Sequence, residues 1–419
     1  MEWGVGKKYY FCGIKKLTHP LNMTNKRFKM GLLPKVLIAI ALGILFSLFF
    51  PDWAVRIFIT VNSIFSNFLG LIIPLLIIGL IAPGIFELGK GAGKLLLITA
   101  GIAYFSTILS GFFSYFTCAW SYPRLLGNSL TSLGNIDMSG GLQPYFTIEM
   151  PPLMSVTTAL VIAFVIGLGL TAVKGETMRN FMLDFKEIIY IVIRGVIIPL
   201  LPLFIFGIFL QMGAEGKVSA VMGMFLKIIV IIFIMHILLL VMQFLVAGSI
   251  ARKNPFKALV TMLPAYVTAL GTQSSAATIP VTLGQAIKNG VREEVAGFVI
   301  PLCATIHLAG SILKIVACAY AISLSMGMNV ELDLYAGFIL MLGILMVAAP
   351  GVPGGAIMAS IGLIASMLGF DPSMQGLMIA LYIAMDSFGT AANVTGDGAI
   401  ALIIDTIKTK SSTKTVTLE

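Results

Sequence analysis

Met385-Asp386-Ser387-Phe388-Gly389-Thr390-Ala391-Ala392-Asn393-Val394-Thr395-Gly396-Asp397 interrupts an apolar run from Leu377 to Ile407. At 100° per residue, Asp386, Thr390, Asn393 and Asp397 stand at i, i+4, i+7 and i+11, on one face of a helix. Two carboxylates and an amide then line up within about 16 Å of rise. An ionisable side chain at membrane depth costs at least about 2.5 kcal/mol, so a stripe of this kind marks a functional site. In the plainer reading, Asp386 and Asp397 only pair inside the bundle.

The rest of the chain makes membrane depth the right frame. Of its 419 residues 58% are hydrophobic and 11% charged, whereas soluble domains carry about a quarter charged residues. Apolar runs of the roughly 20 residues that a bilayer crossing needs recur from Leu32 to Ile407. The formal charge of +9 does not indicate nucleic acid, because the cations lie in short loops rather than in a stripe interleaved with aromatics. Cys12, Cys118, Cys303 and Cys318 have neither metal spacing nor a paired framework and read as packing residues. HExxH and GxSxG are absent, and His19, His236 and His307 are not spaced as metal ligands, so an intramembrane enzyme is not expected. No organic cofactor is implied.

Residues 1–31 are basic and aromatic, with Lys7, Lys8, Lys15, Lys16, Lys26, Arg27 and Lys29, and lack the apolar core of a signal peptide. Met30 is a possible alternative start. Residues 32–407 form one membrane domain and 408–419 a tail. Six conventional spans are expected at about Leu32–Phe50, Val61–Phe86, Leu95–Trp120, Leu153–Val173, Ile188–Met212 and Met222–Ile250. Four longer stretches follow, about Ala258–Ile287, Val295–Met326, Leu334–Phe370 and Leu377–Ile407, each split by Gly, Pro, Ser or Thr clusters.

Charge decides how these four cross. With a cytoplasmic N-terminus, the six spans put Lys90, Lys94, Lys174, Arg179, Lys186, Arg252, Lys253 and Lys257 inside and only Arg56, Arg124 and Lys217 outside. A single crossing by 258–287 would place Lys288 and Arg292 outside. If that stretch and 334–370 both dip and return, these cations and Lys408, Lys410 and Lys414 all stay inside, with both termini cytoplasmic. A dip needs a non-helical tip buried in protein or lining a wet cavity. Gly271-Thr272-Gln273-Ser274-Ser275-Ala276-Ala277-Thr278, followed by Pro280, supplies one; Ala349-Pro350-Gly351-Val352-Pro353-Gly354-Gly355 supplies the other. Paired interrupted segments point to an inverted-repeat transporter with its site at the midplane. Two kinked ordinary helices are the alternative.

The span before the second dip carries Cys303-Ala304-Thr305-Ile306-His307-Leu308-Ala309-Gly310-Ser311, with Lys314 seven residues beyond His307 and on nearly the same face. Gly310 and its polar neighbours suggest a local unwinding. Carbonyls freed there, with Asn393 and Asp397, would form an oxygen cage suited to a hard cation. His307 is equally readable as a satisfied core residue, and Lys314 as a snorkelling one.

These motifs resemble the dicarboxylate/amino acid:cation symporter family, which includes the glutamate and neutral amino acid transporters. The resemblance runs from about Leu33 to Ile407. It is strongest at Gly271–Thr282, at Gly351-Val352-Pro353-Gly354 and at Asn393-Val394-Thr395-Gly396-Asp397. It implies an all-α polytopic fold of eight transmembrane helices and two re-entrant hairpins, trimeric and working as an elevator in the cell's inner (plasma) membrane. A scaffold of about 32–86 and 153–213 would hold the interface, and a transport domain of about 95–120 and 222–407 would move. The implied substrate site draws on Gln273, Ser274, Ser275, Ser311, Val352, Pro353, Gly354, Asp386, Gly389, Thr390 and Asn393. Ser275 and Asn393 would hold a carboxylate and Asp386 an ammonium. One sodium site would use Asp397 with the carbonyls of Cys303, His307 and Asn393, and a second Thr305 with the carbonyls of Met346, Val347 and Ala349.

Departures from the family pattern shape the expected chemistry. Gly389 stands where members that carry acidic substrates have arginine, so no guanidinium fork awaits a side-chain carboxylate. A neutral amino acid or small carboxylate is therefore expected over glutamate or aspartate. Gln273 replaces an arginine common at the first tip, leaving Asp386 dependent on the substrate's ammonium, a cation or a proton. His307-Leu308-Ala309-Gly310-Ser311 lacks an aspartate that ligates another sodium ion, which lowers the expected stoichiometry. The second tip is one residue shorter after Gly354. Coupling through sodium at Asp397 is preferred. The alternative uses a proton at His307, since histidine titrates near neutral pH, or the built-in charge of Lys314. A ligand sensor or anion channel on the same fold is the competing class.

Overall fold

The computed structural model describes residues 31–89, 94–134, 142–173, 175–216, 218–349 and 353–416. The basic segment before Gly31, the possible start at Met30 and the expected site residue Val352 lie outside the described residues. Every regular element among the described residues is helical.

The first half contains α1 (Leu32–Ser47), α2 (Asp52–Gly89), α3 (Lys94–Gly134), α4 (Val156–Ala172), α5 (Thr177–Val192), α6 (Ile198–Ala214) and α7 (Val218–Ala251). A π-helical turn at Ile193–Ile197 joins α5 to α6 into one 38-residue rod. Pro199 lies just beyond the turn, and its lack of an N–H explains the loosened backbone pairing there. This rod starts eleven residues before the expected Ile188, at Thr177. By length and composition α1 and α4 fall short of a full crossing, whereas the rods at Asp52–Phe86, Leu95–Leu125, Thr177–Ala214, Met222–Ala251 and Glu293–Ser325 do not.

The second half is a series of broken rods: α8 (Pro255–Thr272) with α9 (Ser275–Lys288), α10 (Glu293–Ile306) with α11 (Ala309–Ser325), α12 (Leu332–Ala348) with α13 (Gly355–Leu368), and α14 (Pro372–Ala384) with α15 (Asp386–Val416). Local chemistry sets the starts. Asn254 accepts from Lys257 N at 3.0 Å and Asp371 from Met374 N at 2.9 Å, each followed by a proline at the first helical position.

α8 and α9 are joined by Gln273 and Ser274 alone and pack against each other. Their open ends also meet, because Asn289 Nδ2 donates to the Ala258 carbonyl at 2.9 Å and Lys253 Nζ to the Asn289 carbonyl at 2.6 Å. The chain therefore leaves this pair at the end where it entered. α12 and α13 pair likewise, with Gly337 of α12 3.5 Å from Met367 Cε near the end of α13, measured from where a Cβ would stand. Arg292 binds Asp405 at 2.7 Å and Lys408 binds Glu294 at 2.8 Å. Lys253, Arg292 and Lys408, three of the cations that the charge pattern assigned to one side, make these contacts close together in the chain's second half.

Two expectations shift. The last apolar stretch is not one helix: α14 and α15 meet at Met385 with a 59° bend, and Asp386 is the first residue of α15. Its face with Thr390, Asn393 and Asp397 survives because the break precedes it. The unwinding expected at Gly310 lies instead at His307 and Leu308, between α10 and α11.

α1, α2, α4, α5 and α6 pack among themselves, and α3, α7 to α11 and α15 form a second group; α12, α13 and α14 touch both. α11 is the most enclosed element, buried on all sides from Ala309 to Ser323. α1, α4 and α7 instead leave Leu37, Val161 and Leu226 exposed, which suits a lipid-facing shell.

Candidate functional site

The broken rods bring polar backbone into an apolar interior, and side chains from other helices satisfy it. At the start of α11, Leu308 offers no side-chain cap. Asn393 of α15 takes that role, its Oδ1 accepting from Gly310 N at 2.7 Å and Ser311 N at 3.3 Å. Asn393 Nδ2 donates to Ser311 Oγ at 3.0 Å, and Tyr382 Oη reaches the same oxygen at 3.3 Å. Asn393 and Ser311 were both expected at the site, and the structure joins them.

Both hairpin tips end on the first two residues of α15. Gln273, in a left-handed conformation with φ 53°, closes α8 and donates its Nε2 to Ser387 Oγ at 2.8 Å. Ser274 caps α9 through Ala277 N, and Ser275 is buried at its first position. From the second tip Gly354, also left-handed at φ 73°, donates its N–H to Asp386 Oδ2 at 2.7 Å. Pro353 beside it is half-buried, and Thr390 is buried one turn along α15.

Asp386 is not left waiting for a cation, as the sequence suggested. Lys314 of α11 places Nζ 2.8 Å from Asp386 Oδ1 and 3.5 Å from the Tyr382 ring centroid. The lysine is fully buried and does not snorkel. Gly389 makes this possible: a Cβ there would stand 2.8 Å from both Cε and Nζ of Lys314.

About three turns along α15 from Asp386, Asp397 Oδ1 lies 2.9 Å from His307 Nδ1. Asp397 Oδ2 is buried with no hydrogen-bond partner among the described residues. An orphaned carboxylate oxygen in an apolar interior is costly, and it leaves one face open to a cation. The Cys303 carbonyl accepts from His307 N at 2.8 Å, and a carbonyl oxygen has two lone pairs. At the second expected ion site Thr305 is exposed, its Oγ1 donating to the Leu302 carbonyl at 2.7 Å. Met346 and Ala349 are buried and Val347 half-buried where α12 ends against α10.

Several participants were not read from the sequence. His307 Nε2 contacts Ser106 Oγ at 3.1 Å and Gln243 Nε2 at 3.4 Å. His236 Nε2 lies 3.0 Å from the Gly310 carbonyl. On α3, Ser110 and Ser114 donate to the Ala309 and Leu313 carbonyls at 2.5 and 2.7 Å. The signals were periodic: Ser106, Ser110 and Ser114 recur every four residues, and His236 and Gln243 are seven apart in an apolar helix. A cavity of about 620 Å³ lined by Ser66, Asn67, Gly362 and Gln375 contains none of these residues.

Residues 32–407 match the model of the sodium:dicarboxylate symporter family. The chain belongs to this family. As a sodium:dicarboxylate symporter family member it is a multi-pass membrane transporter that works on a small solute with a cation. Similar proteins include the serine/threonine transporters SstT of Acinetobacter baumannii strains AYE, AB307-0294 and ATCC 17978. Each is 27% identical over 393 residues, covering 90% of this chain and 97% of the relative.

Proposed function

We propose that the chain is a secondary transporter that carries a small amino acid or carboxylate together with a cation, across a plasma membrane in which both termini are cytoplasmic. One observation carries the reading: both hairpin tips close on Asp386 and Ser387, beside a helix break capped by Asn393. Backbone opened at such depth suits a solute site. The two helical groups support an elevator in which α3, α7 to α11 and α15, with α12 to α14, move against α1, α2 and α4 to α6 as a trimeric scaffold.

Asn393, Ser275 and Ser311, grouped around the Lys314–Asp386 pair, are the groups that meet the solute. Gly389 offers no guanidinium, so solutes with a single carboxylate are preferred over glutamate and aspartate. The similarity to serine/threonine transporters agrees with this preference. Sodium is the preferred coupling ion, at the open Oδ2 of Asp397 with the neighbouring carbonyls. The His307–Asp397 contact favours proton coupling as a second reading.

Uptake into proteoliposomes decides among these. A sodium gradient alone should drive accumulation of neutral amino acids or short carboxylates. Accumulation under a pH gradient alone transfers the coupling to the proton. Aspartate as the tightest substrate refutes the assignment to Gly389, and failure to concentrate any solute leaves a sensor or channel. Light scattering in detergent tests the trimer.

A further inference from the structure

Within the solute site just proposed, and resting on that reading, the substrate's chemical class follows from Lys314. Asp386 has two carboxylate oxygens, and each already has a donor: Oδ1 has Lys314 Nζ at 2.8 Å, Oδ2 the Gly354 N–H at 2.7 Å. Lone pairs remain, but an incoming ammonium would set a second cation beside Lys314 on an acid that is already neutralised, and would have to compete with the lysine for it. Lys314 has no retreat, since it is fully buried, its head lies against the Tyr382 ring and its stem against Gly389. Eviction would leave a buried ammonium unpaired, which is among the costliest changes a protein interior can suffer.

The lysine and the glycine are two halves of one substitution. Any side chain at 389 would overlap the ammonium, so the residue that removes a guanidinium is also the one that admits Lys314. The result is an acid neutralised from within and surrounded by donors. Lys314 Nζ has one acceptor among the described residues, Asp386, and one aromatic face, leaving an N–H uncommitted. Ser311 and Asn393 Nδ2 stand in the network next to it. Such a surface suits an anion and has no free acid for an amine.

We infer that Lys314 is a resident ammonium which occupies the place of a substrate amine at Asp386, so that the solute selected here is a short carboxylate without an amino group. Lys314 is then a specificity determinant rather than a fold element alone. Glycerate and serine form a matched pair that differs only in hydroxyl against ammonium, as do lactate and alanine.

The test is binding and uptake of these four solutes by the full chain in proteoliposomes. Glycerate and lactate should bind at least about 100-fold better than serine and alanine, the scale set by breaking a buried ion pair. Lys314→Met should invert the order by freeing Asp386 for an ammonium. Should that variant fail to fold, Lys314→Met with Asp386→Asn gives a neutral pair of similar shape and should discriminate within a few-fold only. Serine bound as well as glycerate by the wild type overturns the inference and leaves transport standing, as does a double variant that keeps the wild-type ranking. Uptake of none of the four removes the solute site at Asp386 and this inference together.

Discussion

His307 Nδ1 lies 2.9 Å from Asp397 Oδ1, and that contact is the carboxylate's one hydrogen bond among the described residues. His307→Ala should therefore lower thermal stability in choline buffer by about 1–3 kcal/mol, the usual result of stranding a buried acceptor. Sodium should restore a larger share of stability in the variant than in the wild type, because both carboxylate oxygens are then open. Melting curves across a sodium titration measure this. An unchanged sodium response would show that no ion binds at Asp397.

Gly389 gives the second prediction. Gly389→Ala puts a methyl 2.8 Å from the lysine head and should cost about 1–3 kcal/mol by forcing a packed interior apart. In the background of Lys314→Met with Asp386→Asn the same change should cost less, with a coupling of about 0.5–3 kcal/mol for residues in contact. Additive losses in a double-mutant cycle would mean that the glycine serves something other than the lysine.

The second tip depends on a backbone conformation that glycine alone adopts freely. Gly354 has φ 73° and room for a Cβ without a clash, the nearest atom to it being Leu32 Cδ2 at an ordinary contact distance of 3.5 Å. Gly354→Ala should thus act through the backbone, by about 1–2 kcal/mol, and shift the tip toward opening about tenfold. Maleimide labelling of a cysteine at Pro353, in a background without the native cysteines, should quicken accordingly. A labelling rate equal to that of the parent would refute closure of the tip through Gly354 N–H.

Asn289 closes the open end of the first hairpin. Asn289→Ala should cost about 1 kcal/mol for the lost bond to the Ala258 carbonyl while leaving the ranking of solutes unchanged. Thermal melting and a competition assay report the two halves of this statement separately.

Much of this site was legible because polar residues in an apolar chain have few benign explanations. The breaks at Gln273–Ser275 and Pro353–Gly354 and the face of Asp386, Asn393 and Asp397 followed from pattern. Pairing was not legible. Lys314 and Asp386 are 72 residues apart, and nothing in either segment states that a break at His307–Leu308 and a bend at Met385 aim them at each other. The same holds for His236 and Gln243, whose partners lie on the broken α11 and not on their own helix. Breaks themselves were placed by composition, which favoured Gly310; the chain unwound instead at His307 and Leu308, where capping by Asn393 begins at Gly310.

Asp386 Oδ2 is the latch for the second hairpin and Oδ1 the berth of a permanently tethered cation. A carrier that needs its cargo to neutralise this acid can shut only when loaded, and its vacant form is held ajar. Here the counter-charge never leaves. Under the proposed transport reading this acid is neutral with or without solute, so the return stroke would need no passenger to neutralise it, and a cation held at Asp397 would carry the coupling alone.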